Sequence, residues 1–173
     1  METIFQKGVD KSLAEGYNSD KISNDNNYQL RKIKREYNRV SKGGTIMKEP
    51  RFYKCAHCGN IITKVEDKGV PVFCCGQKMN ELVPNTSDGA GEKHVPVVEV
   101  NGKEVKVVVG EVTHPMLEEH HIAWIWLQTN KGGQFKYLDH TGAPEAVFVL
   151  AEGEELVAAY EYCNLHGLWK KEA

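Results

Sequence analysis

The residues best equipped for chemistry in this chain are five cysteines and seven histidines, and both sets are clustered. Cys55 and Cys58 form a Cys-x2-Cys pair, and after a gap of fifteen residues Cys74 and Cys75 stand side by side. A Cys-x2-Cys knuckle sets two sulfurs about one tetrahedral edge apart, with backbone amides turned toward them. Zinc and iron both accept four thiolates held this way. The competing readings are a metal-free redox dithiol and a buried cysteine cluster. Two cysteine pairs inside 21 residues point instead to a metal. The adjacent pair adds a constraint. Neighbours on an extended strand face opposite ways, so Cys74 and Cys75 reach one ion only if the backbone bends sharply there. His57 lies inside the knuckle, but four thiolates fill the shell, and it reads as a surface residue.

Five of the histidines fall in three short stretches. These are Glu92-Lys93-His94-Val95-Pro96, then His114-Pro115-Met116-Leu117-Glu118-Glu119-His120-His121, then Cys163-Asn164-Leu165-His166. Each stretch alone is weak, because a lone histidine is more often a hydrogen-bonded or exposed residue than a ligand. All three in one small region are harder to dismiss. Imidazoles with one thiolate suit a redox transition metal such as iron or copper. Four histidines and one cysteine would supply five ligands and leave the sixth octahedral position open, the mark of a reactive site.

Something must position these groups. With 40% apolar and 27% charged residues the composition is that of a folded domain. The longest apolar runs, such as Val107 to Val109, fall far short of a membrane span. No stretch has the pattern of a secretory signal, and an odd number of cysteines argues against a disulfide framework. A cytoplasmic protein is expected. The net charge of −2 divides unevenly, +3 over residues 1–46 and −5 over the rest. If the main body handles an anion, it needs a local positive patch.

Residues 47–84 read as the cysteine module, with Gly59, Gly69, Pro71 and Gly76 punctuating short strands. It is too small to bury much core, so a metal is expected to hold it together. Residues 85–173 read as all-β. Val95–Val100 and Glu104–Val109 are strand-like, and Asn101-Gly102 between them signals a type I′ hairpin. Ile122–Leu127 should be a buried strand, and Gln134–Leu138, Glu145–Leu150 and Glu155–Tyr162 complete a set spaced as in a β-sandwich. Residues 1–46 are rich in Asn, Ser, Lys and Gly and hold no Cys, His or Trp. A solvated or disordered tail is one reading, and a basic helix over Tyr28–Val40 facing nucleic acid or a membrane is another. A third carries more weight. Lys42-Gly43-Gly44-Thr45-Ile46-Met47 can be encoded by a ribosome-binding sequence and a start codon, so translation is expected to begin at Met47. Mass spectrometry of the native protein checks this, and an N-terminus near Met1 would refute it.

In order along the chain, Cys-x2-Cys-x15-Cys-Cys, Glu-Lys-His-Val-Pro, His-Pro-Met-x3-His with Ile122-x-Trp124 after it, and Cys-Asn-Leu-His resemble the motifs of the desulfoferrodoxins, the two-iron superoxide reductases. The resemblance runs from Arg51 to Ala173. It implies a mainly β protein in which a desulforedoxin- or rubredoxin-like four-cysteine module precedes an immunoglobulin-like β-sandwich. It also implies one-electron reduction of superoxide to hydrogen peroxide at a non-haem iron, re-reduced by rubredoxin or a similar donor. His94, His114, His120 and His166 would be the four equatorial nitrogens and Cys163 the axial sulfur. Lys93 and Glu92 would be the catalytic residues beside the vacant face. Cys55, Cys58, Cys74 and Cys75 would hold a second iron, with zinc as the alternative occupant. A homodimer is implied, with no nucleic acid and no membrane partner. One departure is His121, where the family usually has tyrosine. Spacing from His114 assigns the ligand to His120. Two alternatives stand beside this reading. One is an iron protein handling peroxide; the other is a rubredoxin-like electron carrier with a non-catalytic second metal site.

Overall fold

The computed structural model describes residues 49–173, so the tail, the basic helix and the Met47 start expected above lie outside the described residues. Among the described residues the strands run β1 (Phe52–Lys54), β2 (Ile61–Thr63), β3 (Phe73–Cys74), β4 (Gln77–Lys78) and β5 (Asn80–Leu82). A four-residue helix, α1 (Gly91–His94), then leads into β6 (Pro96–Asn101), β7 (Glu104–Val109), β8 (Ile122–Thr129), β9 (Gly132–Tyr137), β10 (Glu145–Val149), β11 (Leu156–Cys163) and β12 (Gly167–Glu172).

The last seven strands form the sandwich. One sheet has the order β10-β7-β6, the other β12-β11-β8-β9, and the paired strands are antiparallel. The alternation that marks β7 as a strand also fills the interior: Val105, Val107 and Val109 are buried, and they pack with Ile122, Ile125, Leu127, Phe148, Ala159 and Cys163. The hairpin between β6 and β7 differs from the expected turn. Asn101 pairs with Glu104, so Gly102 and Lys103 are the two loop residues. Gly102 has φ +60° and Lys103 lies outside the positive-φ region, which is the II′ pattern with glycine first. Two side chains of β9 cap the opposite edge, as Gln134 donates to the Val149 carbonyl at 2.9 Å and Lys136 to that of Val147. Those carbonyls are no longer free to pair with another strand.

The cysteine module is a small sheet of order β2-β1-β5 with the hairpin β3-β4. Its own core is Tyr53, Cys55 and Met79, with Ile62, Val72 and Cys74 against them. That core is as slight as expected, but the metal is not its sole support. Phe52 points the other way, into a second cluster with Trp124, Ala158, Tyr160, Tyr162 and Leu168 on the outer face of the four-stranded sheet. Its ring centroid lies 5.0 Å from that of Trp124 and 5.6 Å from that of Trp126. Lys54, on the same strand, donates to the Tyr162 hydroxyl at 2.8 Å. So β11 is buried on both faces, by the sandwich core on one side and by the module on the other. No described helix is long and apolar enough to cross a membrane.

Candidate metal centres

Antiparallel pairing brings the start of β6, the end of β7, the start of β8, the end of β11 and the start of β12 to one end of the sandwich. All three histidine stretches sit there. His94 closes α1, His114 follows β7, His120 precedes β8, Cys163 ends β11, and His166 lies in the turn to β12. One donor atom from each of these five residues lies within 4.8 Å of all the others.

The ring geometry is specific. Adjacent rings close a cycle, His94–His114, His114–His120, His120–His166 and His166–His94, with centroids 4.6 to 4.9 Å apart. Each ring is steeply inclined to the next, by 72° to 82°. His94 Nε2 is 3.2 Å from His114 Nε2 and 3.1 Å from His166 Nδ1. A metal–nitrogen distance of about 2.1 Å requires about 3.0 Å between neighbours on a square. The Sγ of Cys163 is 3.6 Å from His166 Nδ1, and the cysteine is fully buried.

Hydrogen bonds select which nitrogen faces inward. His94 Nδ1 donates to the Ala90 carbonyl at 2.7 Å and His114 Nδ1 to that of Pro115 at 2.6 Å. This leaves both Nε2 atoms as lone-pair donors toward the centre. Burial is the main force lowering the pKa of His94, His114 and His120, with His114 brought to about 4. Neutral imidazoles are what a metal requires. The Nε2 of His120 is buried without a hydrogen-bond partner, an orphan that a metal ion would satisfy. The donor set and its spacing therefore fit a mid-sized transition metal.

Glu92 and Lys93 sit on α1 beside His94, both exposed. The charge of Lys93 is among the influences lowering His120, and that of Glu92 among those raising His94. His121 stays outside the cluster, its Nδ1 donating to the Leu117 carbonyl at 2.9 Å and its ring 5.9 Å from that of His140.

Five further residues shape this centre and carry no sequence signal. Trp169 stacks on His94 at 4.9 Å and 18°. A Cβ at Gly89 would meet Trp169 at 2.9 Å and His94 at 3.1 Å. At Gly110, with φ +81°, a Cβ would meet the Lys93 carbonyl at 2.6 Å, so only glycine lets the chain after β7 press against α1. Val112 completes that contact by donating to the Glu92 carbonyl at 2.9 Å. Glu161, two residues before Cys163, faces the sandwich interior with both carboxylate oxygens unpartnered, and burial pushes its pKa well up.

The four cysteines also converge, with Sγ atoms within 4.8 Å of one another. Cys58 and Cys74 are 3.6 Å apart and Cys74 and Cys75 are 3.9 Å apart. A metal–sulfur distance of about 2.3 Å sets a tetrahedral edge of about 3.8 Å. The bend required at the adjacent pair is present, as Cys75 has φ +50°. Backbone N–H groups of Cys58 and His57 lower Cys55 to about 6, while the sulfurs of Cys58 and Cys74 push Cys75 up to about 12. Four thiolates this close repel one another unless a cation lies between them, so this set also fits a metal. His57 is exposed, outside the sulfur set.

Comparison with known proteins agrees with this geometry. The desulfoferrodoxin family profile matches residues 86–172. A desulfoferrodoxin of Nitratidesulfovibrio vulgaris is 49% identical over 122 residues, spanning 70% of this chain and 95% of its own. A protein of Pyrococcus horikoshii named superoxide reductase is 41% identical over 104 residues, spanning 50% of this chain and 90% of its own. The crystal structure of the superoxide reductase from Treponema pallidum superposes with a TM-score of 0.63 at 43% identity, covering 72% of this chain and all of that one.

Proposed function

The chain belongs to the desulfoferrodoxin family, and from that premise we propose that it is a superoxide reductase. The reaction adds one electron and two protons to superoxide and yields hydrogen peroxide. The observation that carries the proposal is the cycle of four inclined imidazoles with the buried Cys163 sulfur against it. A metal held by these five donors would have room for a small anion. Bound iron would supply the electron and the Lewis acidity there.

The residues do the rest. His94, His114, His120 and His166 would hold the metal as neutral donors, and the Cys163 sulfur would be its one anionic donor. The Lys93 ammonium draws superoxide through an otherwise acidic field and holds a proton at Nζ near the bound anion. The Glu92 carboxylate lies on the same helix beside His94 and would offer an acidic group there for a proton at its carboxylate oxygens. Gly110 and Val112 keep α1, and with it this pair, against the centre.

Residues 47–84 form the four-cysteine module and 85–173 the catalytic sandwich in this reading, with iron at both centres and zinc as the alternative at the first. The electron donor is rubredoxin or a similar small protein, and the chain acts as a homodimer in the cytoplasm, where its five cysteines stay out of disulfides. Exposure of Cys58 and Cys75 favours a second role, since solvent-facing thiolates suit electron exchange with a donor. The test is stoichiometric. The iron-loaded, pre-reduced protein should yield one hydrogen peroxide per superoxide consumed and evolve no oxygen. Oxygen evolution at half the superoxide consumed would mean dismutation and would overturn the proposal.

A further inference from the structure

We propose that Asn164 is a positioning residue of the histidine centre. Its side-chain amide clamps the peptide groups on both sides of His120 to the loop carrying Cys163, so that two donors from distant parts of the chain are held as one unit. This rests on the ligand set proposed above.

The clamp is complete on the His120 side. Asn164 Oδ1 accepts from the His121 backbone N–H at 2.9 Å, and Nδ2 donates to the Glu119 carbonyl at 2.9 Å. The backbone N–H of Asn164 donates to the His121 carbonyl at 3.1 Å. The N–H of His120 goes to the Leu117 carbonyl at 3.1 Å, and its own carbonyl accepts from the Leu117 N–H at 3.0 Å. Every backbone hydrogen-bonding group from the Glu119 carbonyl to the His121 carbonyl thus has a partner, and three of the five partners belong to Asn164.

His120 needs this more than its neighbours do. His94 and His114 are aimed through their rings, by Nδ1 on a backbone carbonyl, and both are buried. His120 is only half-buried, and its Nε2 has no partner. Its aim comes from a fixed backbone. Only an amide one methylene from the backbone offers an acceptor to His121 and a donor to Glu119 at once. Aspartate keeps the shape but loses the donor, and alanine loses both.

The experiment uses the full iron-loaded chain. Partners of this kind typically change metal affinity about 10- to 100-fold. Asn164→Ala is therefore expected to lose iron from the histidine centre to a chelator at least about tenfold faster than the parent. Its thiolate-to-iron band should shift, with the bands of the four-cysteine iron unmoved. Asn164→Asp should fall between the two, and it carries the test if the alanine variant does not fold. Leu165→Ala, an exposed neighbour in the same loop, should behave as the parent. Unchanged iron loss and an unshifted band in Asn164→Ala, or equal loss in Leu165→Ala, overturn the clamp. A parent chain without iron at its histidines would overturn the ligand set instead.

Discussion

The four cysteines lie within 21 residues, between strands of two and three residues, and Cys58 and Cys75 face solvent. The four histidines and Cys163 are drawn from 73 residues and five strand ends, and His94, His114 and Cys163 are buried. The first site is local and sits in a slight core, so metal binding would add to the support that Phe52 and Lys54 give the module. The second is assembled by a sandwich whose interior is already packed with apolar side chains. There the metal enters a preorganised ring held by carbonyls, a stacked tryptophan and close glycine contacts. Reactivity with a small anion suits the second arrangement, because a rigid frame can hold five donors and keep the sixth position free. The regions are not independent, since Phe52 and Lys54 of the module bear on the face of β11 opposite the centre.

Separating the two sites by mutation should have the largest effect. His120→Ala or Cys163→Ser should lower superoxide reduction by at least about a hundredfold, more than loss of an outer-shell partner. Cys74→Ser should leave the rate within about twofold, since the sandwich frame does not depend on that metal. The reverse pattern, read by steady-state peroxide production, would make the chain an electron carrier. Next comes the link between the regions. Phe52→Ala removes a buried ring from the shared cluster and should cost about 3–5 kcal/mol in denaturant unfolding of the whole described unit. An unchanged sandwich midpoint would show that the module rides on the sandwich without supporting it.

How far the sequence reveals each region follows the same division. The four-cysteine site was readable because its ligands are close in sequence, down to the bend at Cys75. The histidine stretches were readable as candidates, and their order along the chain suggested the family. Their aim was not, because it depends on Trp169, Gly89, Gly110 and Asn164, which act through contacts between distant segments. The strands of the sandwich followed from alternating valines and turn residues, but β12 was missed. Its Gly-Leu-Trp-Lys-Lys-Glu run mixes buried and exposed residues without strict alternation. The turn after β6 was placed one residue early, since Asn101-Gly102 is read as the loop when Asn101 already pairs with Glu104. Nothing in the sequence singles out Glu161, which stands between two tyrosines. The module covers the face that carries Tyr160 and Tyr162, and Glu161 points into the sandwich. Helix α1, four residues long, is too short for any periodicity to appear.

Two smaller effects sharpen the contrast. Lys93→Ala should slow superoxide capture about tenfold, as loss of an electrostatically steering charge does, and should flatten its dependence on ionic strength. Pulse radiolysis at several salt concentrations reads both, and an unaltered salt slope would remove Lys93 from the capture step. The smallest effect is in the module. The Lys64 ammonium, with the Gly69 N–H, holds the Asp67 carboxyl down to about 2. A carboxyl lowered in the folded state stabilises fully above its unfolded pKa, and that contribution fades as pH falls through the folded value. Asp67→Asn should therefore be less stable than the parent at neutral pH and should match it near pH 2. An acid titration of module unfolding with a constant difference between the two proteins would contradict this.

The central claim is that four imidazoles and the Cys163 sulfur bind a single iron. It is tested most directly by metal analysis and visible spectra of the oxidised parent and Cys163→Ser proteins. Iron at both centres, with a thiolate-to-iron band in the parent that is absent from Cys163→Ser, is the expected result. Iron bound at the histidines with the same band in both proteins would contradict it.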